Sequence, residues 1–495
     1  MAAAIQDMVP RITAATVQVD SGTDLSSGVM ISENGYVLTV AHGLLPDQTR
    51  ATLRLSGGTR KPATVVIQNR TADVAILKIA DGLQQRYAFL PIAVEPTDID
   101  AALIASGFPA REKSSSTSIV RLGRVVSRNG SLIRSSCLLT AGDSGGPLVN
   151  ADGQLVGIHQ RIGAGRDSNL HLPFSVCRDA VASTIDLSAH IHVQQASAMA
   201  KERVAVTPEV QKLRDKRVVA VLAADDQKSL ALGTIVTGGA VVTKLSRVAI
   251  YSEIAVRTVD GIRIPATLIR QDVPLDLAVL KLSSRVESIE VPIGAESNSA
   301  GCLVFGDRAE DVGIISRTDH TEAASPPKLG CGLIQKDDRL LVDDVSPNST
   351  AADLGLQVGD YISRLADQSV VRLDDVEQIL LRLQPGDWVS ATFVHSGKTK
   401  TGHAALRHPP SELLARAEFL DGNAGTLSER RTGFSHVLQH DVAVSAAHMG
   451  GPLFSLDGRL VAVNIARRSR ESVLAVPFQT VQKIVNDALR DDATQ

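Results

Sequence analysis

The stretch Ala141-Gly142-Asp143-Ser144-Gly145-Gly146-Pro147-Leu148-Val149 decides how this 495-residue chain is read. It sets one serine between glycines, behind an aspartate and ahead of a Gly-Pro stop. A nucleophilic hydroxyl needs a tight turn beneath it. It also needs backbone N–H groups aimed at the oxygen that becomes negative during acyl transfer. Glycine supplies turn conformations closed to other residues and lets a substrate carbonyl approach the backbone. Gly142, Asp143 and Ser144 are therefore the candidate oxyanion-hole residues, with the Gly142 and Ser144 N–H groups as donors. The same letters also suit a glycine-rich hairpin between two strands, so the reading depends on partners upstream.

Residues 26–32 and 36–39 read as two strands joined by a turn at Asn34-Gly35. The second strand runs into Val40-Ala41-His42-Gly43. A single histidine after a strand is ordinarily structural or solvated, but Asp73 follows 31 positions later. Asp73 opens the apolar run Val74-Ala75-Ile76-Leu77, a costly place for an unpaired carboxylate. Ser144 comes 71 positions after Asp73. His, Asp, Ser is the chain order of the chymotrypsin-type triad.

The segments SGVMISENGYVLTVAH (27–42), ADVAILKI (72–79) and GDSGGPL (142–148) resemble trypsin-like serine proteases, and more narrowly the HtrA/Deg branch. The resemblance covers roughly 9–193. It implies two antiparallel β-barrels with the site in the cleft between them. It also implies roles: His42 as general base, Asp73 as the group that orients its imidazolium, and Ser144 as nucleophile. Leu138 sits where enzymes that cut after Lys or Arg carry an acid, so small or aliphatic side chains are the expected specificity. The segment 170–174 matches the family's last barrel strand, which makes Leu138, His171 and Leu172 the candidate pocket residues. His171 stands where small apolar residues are common, and His159 replaces the usual Asn. Either would narrow the pocket or stand partly exposed on its strand, the second being the more ordinary place for a histidine. A helix over 177–185 is expected to close the domain.

The pattern then starts again. LGTIVTGGAVVT (232–243) repeats the first hairpin, DLAVLKL (276–282) repeats the Asp73 strand, and GGPL (450–453) repeats the turn after the nucleophile. VPF (476–478) repeats the closing LPF (172–174). An internal duplication is the simplest account. Its chemistry is missing: Ser246 holds the histidine position and Met449 the nucleophile position. Asp276 remains as a strand-end carboxylate with no base to orient. A thioether cannot attack a carbonyl, so this copy reads as a pseudoprotease.

The Asp-to-nucleophile gap is 71 residues in the first copy and 173 in the second. An excess of about 100 residues is one small domain. Within it, LLVDDVSPNSTAADLGLQVGDYI (340–362) resembles a PDZ domain of the HtrA kind. The resemblance places a carboxylate-binding loop at Leu329, Gly330, Cys331 and Gly332. Leu333 and Ile334 would add a peptide as a further strand, and a groove helix over 376–383 would bring Val376 and Leu380. A PDZ fold kept only as a spacer is the alternative.

These readings give a mainly β chain of two chymotrypsin-like double β-barrels, the second interrupted by an inserted PDZ domain. The expected divisions are 1–193 (protease), 194–217 (linker), 218–324 and 410–495 (the two parts of the pseudoprotease) and 325–409 (PDZ). The net charge of −3 is mixed along the chain and leaves no nucleic-acid footprint. The four cysteines, scattered, read as buried thiols, and no histidine pairing on an evident helix suggests a metal. No cofactor is expected. No run of apolar residues is long enough to span a membrane, and residues 1–20 lack the regions of a signal peptide. The expected compartment is the cytoplasm, or the periplasm or envelope if a leader is missing. The expected partners are unfolded protein or peptide substrates and peptide C-termini. The expected function is a serine endopeptidase acting on unfolded proteins, the alternative being a non-catalytic peptide-binding scaffold.

Overall fold

A computed structural model describes residues 2–80, 85–93, 97–110, 116–181, 193–194, 205–223, 229–284, 299–408 and 427–494. Strands Thr16–Asp20, Leu25–Met30, Tyr36–Thr39, Arg50–Arg54, Arg60–Asn69 and Val74–Ile79 close a first antiparallel barrel. Its hairpin pairs Val29 with Leu38 and Met30 with Val37, and Gly35 takes a φ of 91° in the turn. Val17, Val19, Val29, Val37, Leu53 and Ile76 fill the interior. A second sheet contains Ala102–Gly107, Ile119–Arg128, Ile133–Ser135, Pro147–Asn150, Leu155–Arg161 and Asn169–Pro173. Pairing of Pro147–Asn150 with Leu155–Arg161 closes these six strands into a ring.

Two more closed barrels follow. One is built from Val218–Ala223, Ser229–Ile235, Val241–Lys244, Ile254–Arg257, Arg263–Asp272 and Leu277–Leu282, in the strand order of the first barrel. The other holds Leu303–Phe305, Val312–Glu322, Phe434–His440, Pro452–Ser455, Leu460–Ser469 and Ser472–Pro477. Between Val312–Glu322 and Phe434–His440, which pair directly, the chain makes a separate sheet. Its path is Cys331–Lys336, Arg339–Val345, Tyr361–Leu365, Trp388–His395 and Lys398–Ala405, with helix Leu373–Leu380 packed against it. The architecture is mainly β, two double barrels with a PDZ domain inserted in the second.

Three elements differ from the sequence expectations. The groove helix begins at Leu373 rather than 376, because Asp375 Oδ2 accepts the N–H groups of Val371 and Arg372 and caps the helix there. The closing helix is Phe174–Val181, starting three residues early; the remainder of the expected 177–185 lies outside the described residues. Helix Ala2–Ala15 was not foreseen. It buries Ile5, Val9, Ile12 and Ala15, a three-to-four-residue spacing that lays one face on a core shared by the first two barrels. In the linker, Thr207 caps helix Pro208–Asp215, while 195–204 lie outside the described residues. Cys137, Cys177 and Cys302 are buried thiols, but Cys331 is partly exposed because it sits on the edge strand of the PDZ sheet.

Candidate active site

Strands Tyr36–Thr39 and Val74–Ile79 are antiparallel neighbours, with Thr39 opposite Ala75. The end of one therefore meets the start of the other. His42 lies in the short helical turn Ala41–Gly43 just past Thr39, and Asp73 stands just before Val74 with a φ of 57°. His42 Nδ1 is 2.9 Å from Asp73 Oδ2 and 3.0 Å from Oδ1. The His42 backbone N–H donates to Asp73 Oδ1 at 3.0 Å, and Gln160 Nε2 donates to Oδ2 at 3.2 Å. Burial of Asp73 works against its charged form, but the His42 contacts and the Gln160 bond outweigh it and hold the carboxyl below its ordinary range. With Nδ1–H donated to the carboxylate, Nε2 keeps the basic lone pair.

Ser144 is half-buried on the turn ahead of Pro147–Asn150. Gly142 and Gly145 flank it with φ of 97° and 85°. A Cβ at Gly145 would come 2.2 Å from Ser27 O, so this turn is closed to any other residue. Ser27 N donates to Ser144 O at 2.8 Å and Ser27 Oγ to Gly142 O at 2.7 Å, tying the turn to the first barrel. Gly145 N donates to His159 O at 2.8 Å and ties it to the second. Asp143 N–H is taken by Thr140 O at 3.1 Å, which removes it as an oxyanion donor. The Gly142 and Ser144 N–H groups enter no hydrogen bond among the described residues. Nor does one join Ser144 Oγ to His42 Nε2 there, a bond that commonly tightens only with substrate.

Asp143 also carries a group that sequence reasoning missed. Its Oδ2 accepts from Arg121 Nη1 at 2.7 Å and from Thr140 N at 2.7 Å, with both ion-pair side chains sealed from solvent. Burial pushes the Asp143 carboxyl up and the Arg121 guanidinium opposes that push. The available signal was an arginine inside the otherwise apolar start of strand Ile119–Arg128.

His159 and His171 are not partly exposed: both are fully buried. Strands Leu155–Arg161 and Asn169–Pro173 pair them directly, and both rings turn into the barrel. Their Nδ1 atoms are 3.0 Å apart; His159 Nε2 lies 3.1 Å from Ser106 O and His171 Nε2 2.6 Å from Ser135 Oγ. Burial lowers the His171 pKa to about 3 and that of His159 well below the usual value, so the pair is neutral. Leu138 and Leu172 are buried beside this interior.

In the second double barrel the same backbone bonds recur. Leu232 N donates to Met449 O, Gly450 N to Asn464 O and Ser246 N to Asp276 Oδ1, matching Ser27–Ser144, Gly145–His159 and His42–Asp73. Asp276 is more than a strand-end carboxylate: it is fully buried and accepts from Lys244 Nζ and Ser246 Oγ. Met449 is enclosed in the core. His448, beside it, pairs with Asp307 at 2.8 Å, and that bond raises its pKa.

In the inserted domain, Cys331–Lys336 is an edge strand, open on one side to a further strand. Leu329 is buried, Gly330 has a φ of 74°, and its carbonyl accepts from Ser346 N. Gly332 and Leu333 are half-buried and Ile334 is exposed. Val376 belongs to the domain core while Leu380 packs at its margin.

Residues 26–158 match the trypsin-like peptidase domain and residues 327–406 the PDZ domain. The chain is similar to a probable periplasmic serine endoprotease DegP-like of Brucella suis, 22 % identical over 73 % of this chain and 71 % of that protein. The namesake in Halomonas elongata is 24 % identical over 81 % and 82 %. Serine protease HTRA4 of Mus musculus is 31 % identical over 27 % and 29 %. These likenesses support a serine protease of the HtrA type.

Proposed function

We propose that the chain is a serine endopeptidase that cleaves unfolded polypeptides in its first double barrel and gathers peptide ends at its PDZ domain. The observation that carries this is the His42–Asp73 pair at 2.9 Å, set across the cleft from a serine turn with two uncommitted N–H groups. Ser144 Oγ attacks the scissile carbonyl while His42 Nε2 takes its proton. The oxyanion is received by the Gly142 and Ser144 N–H groups. His42 then protonates the leaving amine, and water repeats the sequence on the acyl-enzyme. Asp73 stabilises the imidazolium throughout.

The second double barrel is read as a degenerate copy. Ser246 and Met449 occupy the base and nucleophile positions, and Lys244 neutralises the remaining carboxylate, so neither proton transfer nor attack has a group to perform it. The PDZ edge strand would take a peptide C-terminus between Cys331–Lys336 and Leu373–Leu380, with Leu329–Gly332 around the carboxylate. The compartment proposed is the periplasm, from the names of the DegP-like relatives.

A second reading rests on the missing Ser144–His42 bond: a peptide-binding scaffold whose protease domain is latent. Fluorophosphonate labelling with peptide mapping, with and without casein, separates the two. Label on Ser144 alone supports the endopeptidase, label only with casein a gated one, and no label under either condition the scaffold.

A further inference from the structure

The catalytically empty second double barrel touches the first at the elements that frame Ser144. The turn between its strands Leu460–Ser469 and Ser472–Pro477 carries Arg470, which is 4 % exposed. Arg470 Nη1 donates to Gly163 O at 3.1 Å and Nη2 to Gly165 O at 3.4 Å. Those carbonyls belong to the loop leaving strand Leu155–Arg161, the strand that holds the serine turn through His159 O and Asp73 through Gln160.

A second arm comes from Asp441. Its Oδ2 accepts from Leu122 N at 2.6 Å, and its Oδ1 accepts from Ile314 N of its own barrel at 2.6 Å. Leu122 follows Arg121, whose guanidinium holds Asp143 beside the nucleophile. Ser316 Oγ donates to Val120 O at 2.6 Å on the other side of Arg121. The buried Glu471 carboxylate adds its charge to the field at Asp143. A guanidinium spanning two carbonyls fixes a loop as a single ammonium cannot, because its donors diverge in a rigid plane.

We propose that Arg470 and Asp441 are positioning residues for catalysis. Through them the dead copy holds, within one chain, the loop 162–168 and the Arg121–Asp143 support that keep the oxyanion turn in working shape. This rests on the serine-protease reading of the first domain. Contacts between the barrels would thereby preorganise the N–H donors that the transition state needs.

The test uses the full chain as wild type, Arg470→Ala, Arg470→Lys and Asp441→Asn. The readouts are kcat and KM on a short peptide ester, fluorophosphonate labelling rate, and hydrogen exchange across 140–146 and 162–168. Arg470→Ala is expected to lower kcat and labelling rate at least tenfold with KM nearly unchanged, and to speed exchange in both segments. Arg470→Lys is expected to recover only part of the loss, and Asp441→Asn to lower kcat with exchange faster near 119–124. Unchanged kcat and exchange in soluble, folded Arg470→Ala and Asp441→Asn protein would overturn the proposal. A wild type that takes no label either with or without casein defeats the protease reading instead. Exchange then decides the clamp by itself: protection lost from 162–168 upholds it, and protection kept refutes it.

Discussion

Lys244 Nζ lies 2.5 Å from Asp276 Oδ2, with both side chains withdrawn from water, at the place where the first double barrel joins His42 to Asp73. A buried charge without its partner is far costlier than the intact pair is stabilising. Lys244→Met, followed by urea unfolding, is expected to destabilise the second double barrel by about 3–5 kcal/mol. Lys244→Met combined with Asp276→Asn is expected to recover most of that, since the amide oxygen still accepts from Ser246 N. Equal midpoints for the two variants would contradict the ion-pair account.

Ser144→Ala removes only a half-buried hydroxyl, so the melting curve should stay near that of the wild type. Turnover should fall by about 10⁵-fold or more, as expected when the nucleophile of a cooperating triad is lost. Cleavage of casein surviving in a homogeneous Ser144→Ala preparation would sink the assignment.

Asp73→Asn preserves shape but offers an N–H where the imidazole needs an acceptor. The ring is then held in the wrong tautomer, and kcat should fall by about 10⁴-fold. KM should move little, because Asp73 lies behind His42 and away from bound peptide. A kcat within tenfold of wild type would remove Asp73 from the mechanism.

Acid should draw stability from the buried histidines. His171 is held at a pKa of about 3 and His440 at about 4, both by burial, so at these two sites the folded state binds fewer protons than the unfolded chain below pH 6.5, whereas Asp441, raised to about 6 by burial, acts in the opposite sense. Stability is therefore complete above that value and declines as pH falls toward the folded pKa. Each histidine contributes about 1.4 kcal/mol per pH unit in that window. Melting temperatures from pH 7.5 to 4.5 should show the fall, and His171→Gln should flatten it; identical slopes would refute the argument.

Much of this was legible because it is local. The asparagine–glycine hairpin, the apolar strand after Asp73 and the glycine-framed serine are short patterns whose backbone demands are written in consecutive residues. What escaped was long-range. Arg121 finds its partner in Asp143, 22 positions away, and only the folded barrel brings the two together. The two histidines read as ordinary strand positions because direct register between Leu155–Arg161 and Asn169–Pro173, which hides both rings, follows from how the barrel closes. The helix Ala2–Ala15 carries its apolar spacing locally, at Ile5, Val9, Ile12 and Ala15. Arg470 had no local signal; its partners lie about 300 positions upstream.

The insertion of the PDZ domain sets an order of events on the ribosome. Strand Val312–Glu322 must wait for Phe434–His440 and the strands after it before its barrel can close. At a synthesis rate of about 5–20 residues per second, the chain between them takes on the order of 5–20 s to emerge. Through that interval the two leading strands of that barrel, Leu303–Phe305 and Val312–Glu322, stand with unpaired edges while the first protease-like domain has already emerged. Nascent chains of this protein are thus exposed to edge-to-edge association for seconds, and that window closes only once the strands from Phe434 to Pro477 have emerged.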